Sequence, residues 1–171
     1  AAAGWLASRS AATAPGAGRS LALRRLTDRP ALESHLDLSP DGRQVVYSSA
    51  ASGNLDVFLM RTDGGRAINL TASSPGDDEQ AAFSPDGERL VFRSSRDGGG
   101  LFLMGATGES VRRLTDGGFD PAWSPDGTRV AYSMERVVDP YARDADAALW
   151  IVDVATGEKR QRLPGDAVQP A

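Results

Sequence analysis

The chain has 171 residues, enough for one domain. With 40% hydrophobic residues it belongs with folded globular proteins rather than disordered segments. Its net charge of −4 argues against a nucleic-acid surface, which needs a clustered basic patch, and the absence of cysteine excludes disulfides, thiolate metal sites and a cysteine nucleophile. Nineteen glycines and ten prolines fall at regular turns, which favours many short strands over helices.

Residues 1–18 (AAAGWLASRSAATAPGAG) read as an apolar stub and an Ala/Gly/Ser/Pro linker. The stub is far shorter than the roughly 20 apolar residues that span a bilayer. It is either a linker or the end of a membrane helix or signal peptide, with Trp5 and Arg9 at the boundary. An opening alanine fits a processed chain or a piece of a longer one.

From Arg19 onward a repeat takes over. Ser-Pro-Asp-Gly occurs at Ser39-Pro40-Asp41-Gly42, Ser84-Pro85-Asp86-Gly87 and Ser124-Pro125-Asp126-Gly127. Serine and aspartate bond neighbouring backbone, proline presets φ, and glycine supplies the positive φ that closes the reversal. Turn chemistry accounts for the three aspartates without a metal. Leu-Thr recurs at residues 26–27, 70–71 and 114–115, 44 residues apart each time. A period of 40–45 residues holding four short strands predicts β-propeller blades.

Strand A is expected at 35–38, 80–83 and 120–123, and strand B at 44–49, 89–94 and 129–133. Strand C follows at 56–60, 101–104 and 149–154, and strand D carries Leu-Thr or, in the third copy, residues 160–163. Leu21–Thr27 reads as a strand D with no partners before it, and 167–171 as the start of a fourth blade cut short. The expected layout is therefore an orphan outer strand and loop (19–34), blades at 35–78, 79–118 and 119–166, and a truncated fourth at 167–171. The fold class is all-β, a partial propeller of four-stranded antiparallel blades. Three blades leave apolar faces and strand edges open, so self-association is expected.

The candidate binding residues come from the D–A and B–C loops, which vary between repeats while the turns at the other end do not. They are Asp77, Asp78, Glu79, Arg96, Asp97 and, in the long 134–148 insertion, Asp139, Tyr141, Arg143 and Asp144. Tyr141 is the expected interface anchor. The acidic run at 77–79 offers the oxygens that Ca²⁺ takes, but in no EF-hand spacing, so no metal is assigned. His35, Gln80 and Asp120 share one strand-A position and are expected to line a polar channel. Leu38, Phe83 and Trp123, also equivalent, are expected between blades. No G-x-S-x-G, P-loop, kinase loop or H-E-x-x-H is present, so neither catalysis nor a cofactor is expected from this sequence.

The Ser-Pro-Asp-Gly turns, the following strands and the Leu-Thr signal resemble the WD40-like PD40 repeat of the TolB family over roughly residues 20–171. The resemblance implies a non-catalytic propeller that binds a protein or peptide, with no nucleic acid. It implies an extracytoplasmic place, tethered N-terminally to a membrane, as sensor or scaffold of a larger bacterial protein such as a serine/threonine kinase or winged-helix regulator. The alternative it implies is the substrate-gating propeller of a prolyl-oligopeptidase-type serine peptidase.

Overall fold

The computed structural model describes residues 23–28, 30–134 and 148–162. Three antiparallel four-stranded sheets follow one another, each ordered as its strands run along the chain. Blade 1 holds β1 (Glu33–Leu38), β2 (Gln44–Ser49), β3 (Asp56–Arg61) and β4 (Ile68–Asn69). Blade 2 holds β5 (Asp78–Phe83), β6 (Arg89–Ser94), β7 (Gly100–Gly105) and β8 (Arg112–Arg113). Blade 3 holds β9 (Phe119–Trp123), β10 (Arg129–Ser133), β11 (Leu149–Asp153) and β12 (Lys159–Arg162). Blades 1–3 therefore form the partial propeller expected. Among the described residues, no helix is long and apolar enough to cross a membrane.

The A–B turns are built as their spelling requires. Ser39 Oγ donates to Asp41 Oδ1 at 2.6 Å and accepts from Gln44 N at 2.9 Å, while Asp41 Oδ1 also accepts from Arg43 N at 3.0 Å. The same three bonds recur at Ser84–Asp86 and Ser124–Asp126. The serine hydroxyl, then a backbone N–H, holds each aspartate below the usual carboxylate range. A depressed carboxylate stabilises the fold fully above its unfolded value of 3.8 and loses that contribution as pH falls through the folded value. Gly87 sits at φ +74, and a methyl there would meet only Pro40, at 3.5 Å. Gly87→Ala should therefore cost only the backbone term, about 1–2 kcal/mol, visible as a lower urea midpoint. An unchanged midpoint would contradict this account of the turn.

The inner strands are apolar on both faces, and in blade 2 both faces pack against a neighbouring blade. Val46, Val57 and Leu59 of blade 1 pack against Phe83, Leu90, Phe92, Phe102 and Met104 of blade 2. Val91, Leu101, Leu103 and Leu114 of blade 2 pack in turn against Val130, Tyr132, Val152 and Trp150 of blade 3. A third buried cluster, Val45, Tyr47, Phe58 and Met60, lies on the upstream face of blade 1, over which no blade packs among the described residues.

Leu-Thr lies just beyond strand D and explains why that strand is short. Thr71 Oγ1 accepts the Val57 amide and Thr115 Oγ1 the Leu101 amide, each at 3.0 Å, so a side chain replaces the next rung of the ladder. Two expectations are corrected. Residues 23–28 form no strand: among the described residues no strand C lies beside them to pair with. Leu26 nevertheless borders a hollow lined by Val45, Tyr47 and Met60 of blade 1. Leu38 is 53% exposed rather than buried between blades, because no blade packs on that side of it among the described residues, whereas Phe83 is buried.

Candidate functional site

Strand A of each blade runs alongside strand A of the next, and the three line the concave inner surface. Each carries an irregularity in its pairing with strand B, between Ser34 and Asp37, between Glu79 and Ala82, and between Phe119 and Ala122. The residues within these bulges are His35, Gln80 and Asp120, with φ of 48°, 57° and 51°. Left-handed backbone at a non-glycine residue costs of order 1–3 kcal/mol and persists only where the surroundings enforce it. Here the strain turns the equivalent polar side chains of three blades onto one surface.

The side chains are cross-linked along that surface. Gln80 Nε2 donates to Asp120 Oδ1 at 2.7 Å, and Gln80 Oε1 accepts the Asp120 backbone N–H at 3.0 Å. Gln80 N donates to Ser48 Oγ of blade 1 at 3.2 Å. His35 Nδ1 lies 4.0 Å from Glu79 Oε2, and Arg93 Nη1 donates to Glu79 Oε1 at 3.1 Å. The Arg93 guanidinium in turn lies 4.5 Å from the centroid of the Phe119 ring. Gln80 and Glu79 are buried in this network, while His35 and Asp120 remain exposed. The arrangement offers an imidazole, a carboxylate and an aromatic ring held by a rigid scaffold, which suits recognition of a polar or peptidic group. Towards the turn end the same surface opens into a depression of about 420 Å³ bordered by Leu38, Pro40, Phe83, Pro85, Pro121 and Trp123.

The residues expected on the variable loops divide. Asp77 and Asp97 are exposed loop residues, although Asp77 Oδ1 accepts the Leu55 amide of blade 1 at 3.0 Å. Asp78 and Glu79 are not loop residues: strand A begins two residues earlier than the sequence indicated, and both side chains are buried between blades. Asp78 Oδ2 accepts from Arg96 Nη2 at 2.8 Å, and Arg96 lies 5.3 Å from both the Phe92 and the Phe102 ring centroids. Asp139, Tyr141, Arg143 and Asp144 lie outside the described residues. Among the described residues, no three or more His, Cys, Asp or Glu side chains converge to hold a metal. Sequence reasoning missed Phe119 and Arg93. Their signal was present in the position of Phe119 beside the bulge residue Asp120 and of Arg93 opposite Glu79 in the ladder.

Residues 22–138 match the PD40 family, the TolB β-propeller domain. An uncharacterized protein of Agrobacterium fabrum is 32% identical over 70% of this chain and 42% of its own length. Dipeptidyl-peptidase 5 of Porphyromonas gingivalis is 29% identical over 74% of this chain and 20% of its own. Among solved structures, a TolB of Agrobacterium tumefaciens superposes with a TM-score of 0.66 and 28% identity, over 78% of this chain and 49% of that one. The chain thus spans less than half the length of the curated relatives it matches, and about half of that solved structure.

Proposed function

The chain belongs to the TolB β-propeller family, and from that premise we propose that it is a non-catalytic module that binds a protein or peptide on its concave inner surface. The observation that carries this reading is the row of three strained bulges, which present His35, Gln80 and Asp120 in register across the blades. Strain repeated at one structural position, on a surface that no other part of the described chain covers, is more than turn chemistry requires. The exposed residues Asp77 and Asp97, the half-buried Arg96, and with them Asp139, Tyr141, Arg143 and Asp144 of the insertion, would border the ligand at the same end of the blades. We place the module outside the cytoplasm, as the sensor or scaffold part of a larger bacterial membrane protein such as a serine/threonine kinase or transcriptional regulator. The Ala/Gly/Ser/Pro composition of residues 1–18 supports a tether before the first blade.

The test is selection of peptides from a displayed random library against the full chain, followed by titration of the best binder into His35→Ala and Asp120→Ala variants. Both positions are exposed, so the fold should survive, and affinity should fall about tenfold or more. Peptides that bind both variants as tightly as the parent chain would overturn the assignment of this surface.

A second reading, a substrate-gating propeller of a serine peptidase, is favoured by the likeness to dipeptidyl-peptidase 5. It requires a hydrolase domain with a G-x-S-x-G nucleophile on the same polypeptide. Labelling of the natural full-length protein with a fluorophosphonate probe separates the two: a labelled serine supports the peptidase, and no labelling supports the binding module.

A further inference from the structure

An Asp-Gly pair is open to backbone rearrangement, because no side chain on the glycine keeps its nitrogen from the aspartyl side-chain carbonyl. The chain holds this pair six times, at Asp41, Asp63, Asp86, Asp97, Asp116 and Asp126. Asp41, Asp86 and Asp126 each accept from the serine hydroxyl and a backbone amide of their own turn. Asp63 accepts from Arg61 through both oxygens, and Asp116 accepts from Lys159 Nζ at 2.9 Å with Arg113 Nη1 3.8 Å away. These side-chain hydrogen bonds hold all five below the usual carboxylate range, and an ionised carboxylate is a poor electrophile. At Gly42, Gly64, Gly87 and Gly127 the glycine amide is tied as well, each donating to a carbonyl of its own turn.

Asp97-Gly98 is the exception. Both residues are exposed on the loop between β6 and β7, and among the described residues the Asp97 carboxylate has no hydrogen-bond or ion-pair partner. The backbone is left-handed at Asp97, with φ 52° and ψ 33°, and φ stays positive at Gly98 and Gly99. A side chain at Gly98 would meet nothing within 4 Å, so the loop has open space around it. Two glycines in succession allow the ψ rotation at Asp97 that carries the Gly98 nitrogen onto Cγ. One side chain opposes that rotation: Arg113 Nη2 donates to Asp97 O at 2.6 Å and to Gly99 O at 2.7 Å.

We propose that Asp97 is a modification site, where the folded chain converts spontaneously to isoaspartate with Arg113 as the brake. The Gly98 nitrogen attacks Cγ of the protonated side chain. The N–Cγ bond forms, the Cγ–OH bond breaks, and the hydroxyl leaves as water with the amide proton, closing a succinimide ring. A second water then adds at the Asp97 carbonyl carbon and breaks its bond to the Gly98 nitrogen, which stays bonded to Cγ while the former α-carbonyl becomes a free carboxylate. Water lost in the first step is regained in the second, so the mass is unchanged and no oxidant or other reagent is needed. The main chain now runs through the β-carbon. The new carboxylate stands where Arg113 bonded a neutral carbonyl, so the arginine that slows ring closure forms a charge-assisted pair with the product. This chemistry needs no ligand and is independent of the peptide-binding reading.

The experiment is prolonged incubation of the full chain at neutral pH, in buffer and in denaturing urea. Peptide mapping with electron-transfer fragmentation then measures isoaspartate at each of the six aspartates. In buffer Asp97 should isomerise about tenfold or more faster than any of the other five. In urea the rates should converge, because unfolding frees every carboxylate. Arg113→Ala should speed the reaction at Asp97 with the far-ultraviolet circular dichroism unchanged. Asp97→Glu, whose longer side chain closes a larger and slower-forming ring, should abolish the fast reaction. Equal rates at the six positions in buffer, a lead taken by another pair, or a folded chain that gains no isoaspartate while the unfolded chain does would each overturn the proposal. A lead for Asp97 that persists unchanged in urea would overturn the part assigned to the fold, and a folded Arg113→Ala that reacts no faster would deny the brake.

Discussion

Arg96→Ala is expected to lower the unfolding free energy by about 3–5 kcal/mol, because it leaves a buried carboxylate uncompensated. Asp78 has 0% of its side chain exposed, and Arg96 has 17%. One oxygen of Asp78 accepts from Arg96, and the other is buried without a hydrogen-bond partner. The guanidinium also bonds Ser94 Oγ at 2.8 Å and lies over two phenylalanine rings, so alanine removes packing as well as charge. The reverse deletion is milder. Asp78→Asn should cost about 1–3 kcal/mol, since the arginine left behind is the partner that already touches water. Urea unfolding of both variants gives the comparison. A cost below about 1 kcal/mol for Arg96→Ala, together with weaker ligand binding, would return Arg96 to the binding surface and deny its role between the strands of blade 2.

What the sequence spells locally, it spells well. The Ser-Pro-Asp-Gly turns fix strand B in every blade, and β2, β6 and β10 begin and end where the turn and the apolar run place them. Strand A proved longer, because Asp78 and Glu79 look like loop carboxylates until Arg93 of β6 and Arg96 of the turn after it arrive beside them. The bulges could not be read at all. Positive φ at histidine, glutamine and aspartate has no signature of its own and is imposed by pairing with strand B. The equivalence of those three positions was legible, as a spacing; their cross-links were not.

The ends of the stack show the other kind of limit. Leu38 and the 23–28 segment follow the repeat pattern, yet neither adopts the state its equivalents do, because burial and strand pairing both need a neighbour that the described chain does not supply. Local sequence sets which face of a strand is apolar. Whether that face is covered depends on what stands next to it.

Substitutions at one register position measure this directly. Tyr47, Phe92 and Tyr132 pair respectively with Phe58, Phe102 and Trp150, and all three project from the upstream face of their blade. Phe92 is 0% exposed, with blade 1 residues Val46, Val57 and Leu59 packed over it and the Phe102 ring centroid 5.9 Å away. Phe92→Ala should therefore cost about 3–5 kcal/mol, a large share of the roughly 5–15 kcal/mol that holds a domain together. Tyr47→Ala should cost less in dilute solution: Tyr47 is 9% exposed and stacks on Phe58, yet among the described residues no blade packs over it. A cost at Tyr47 equal to that at Phe92 would contradict this reading of the blade 1 face.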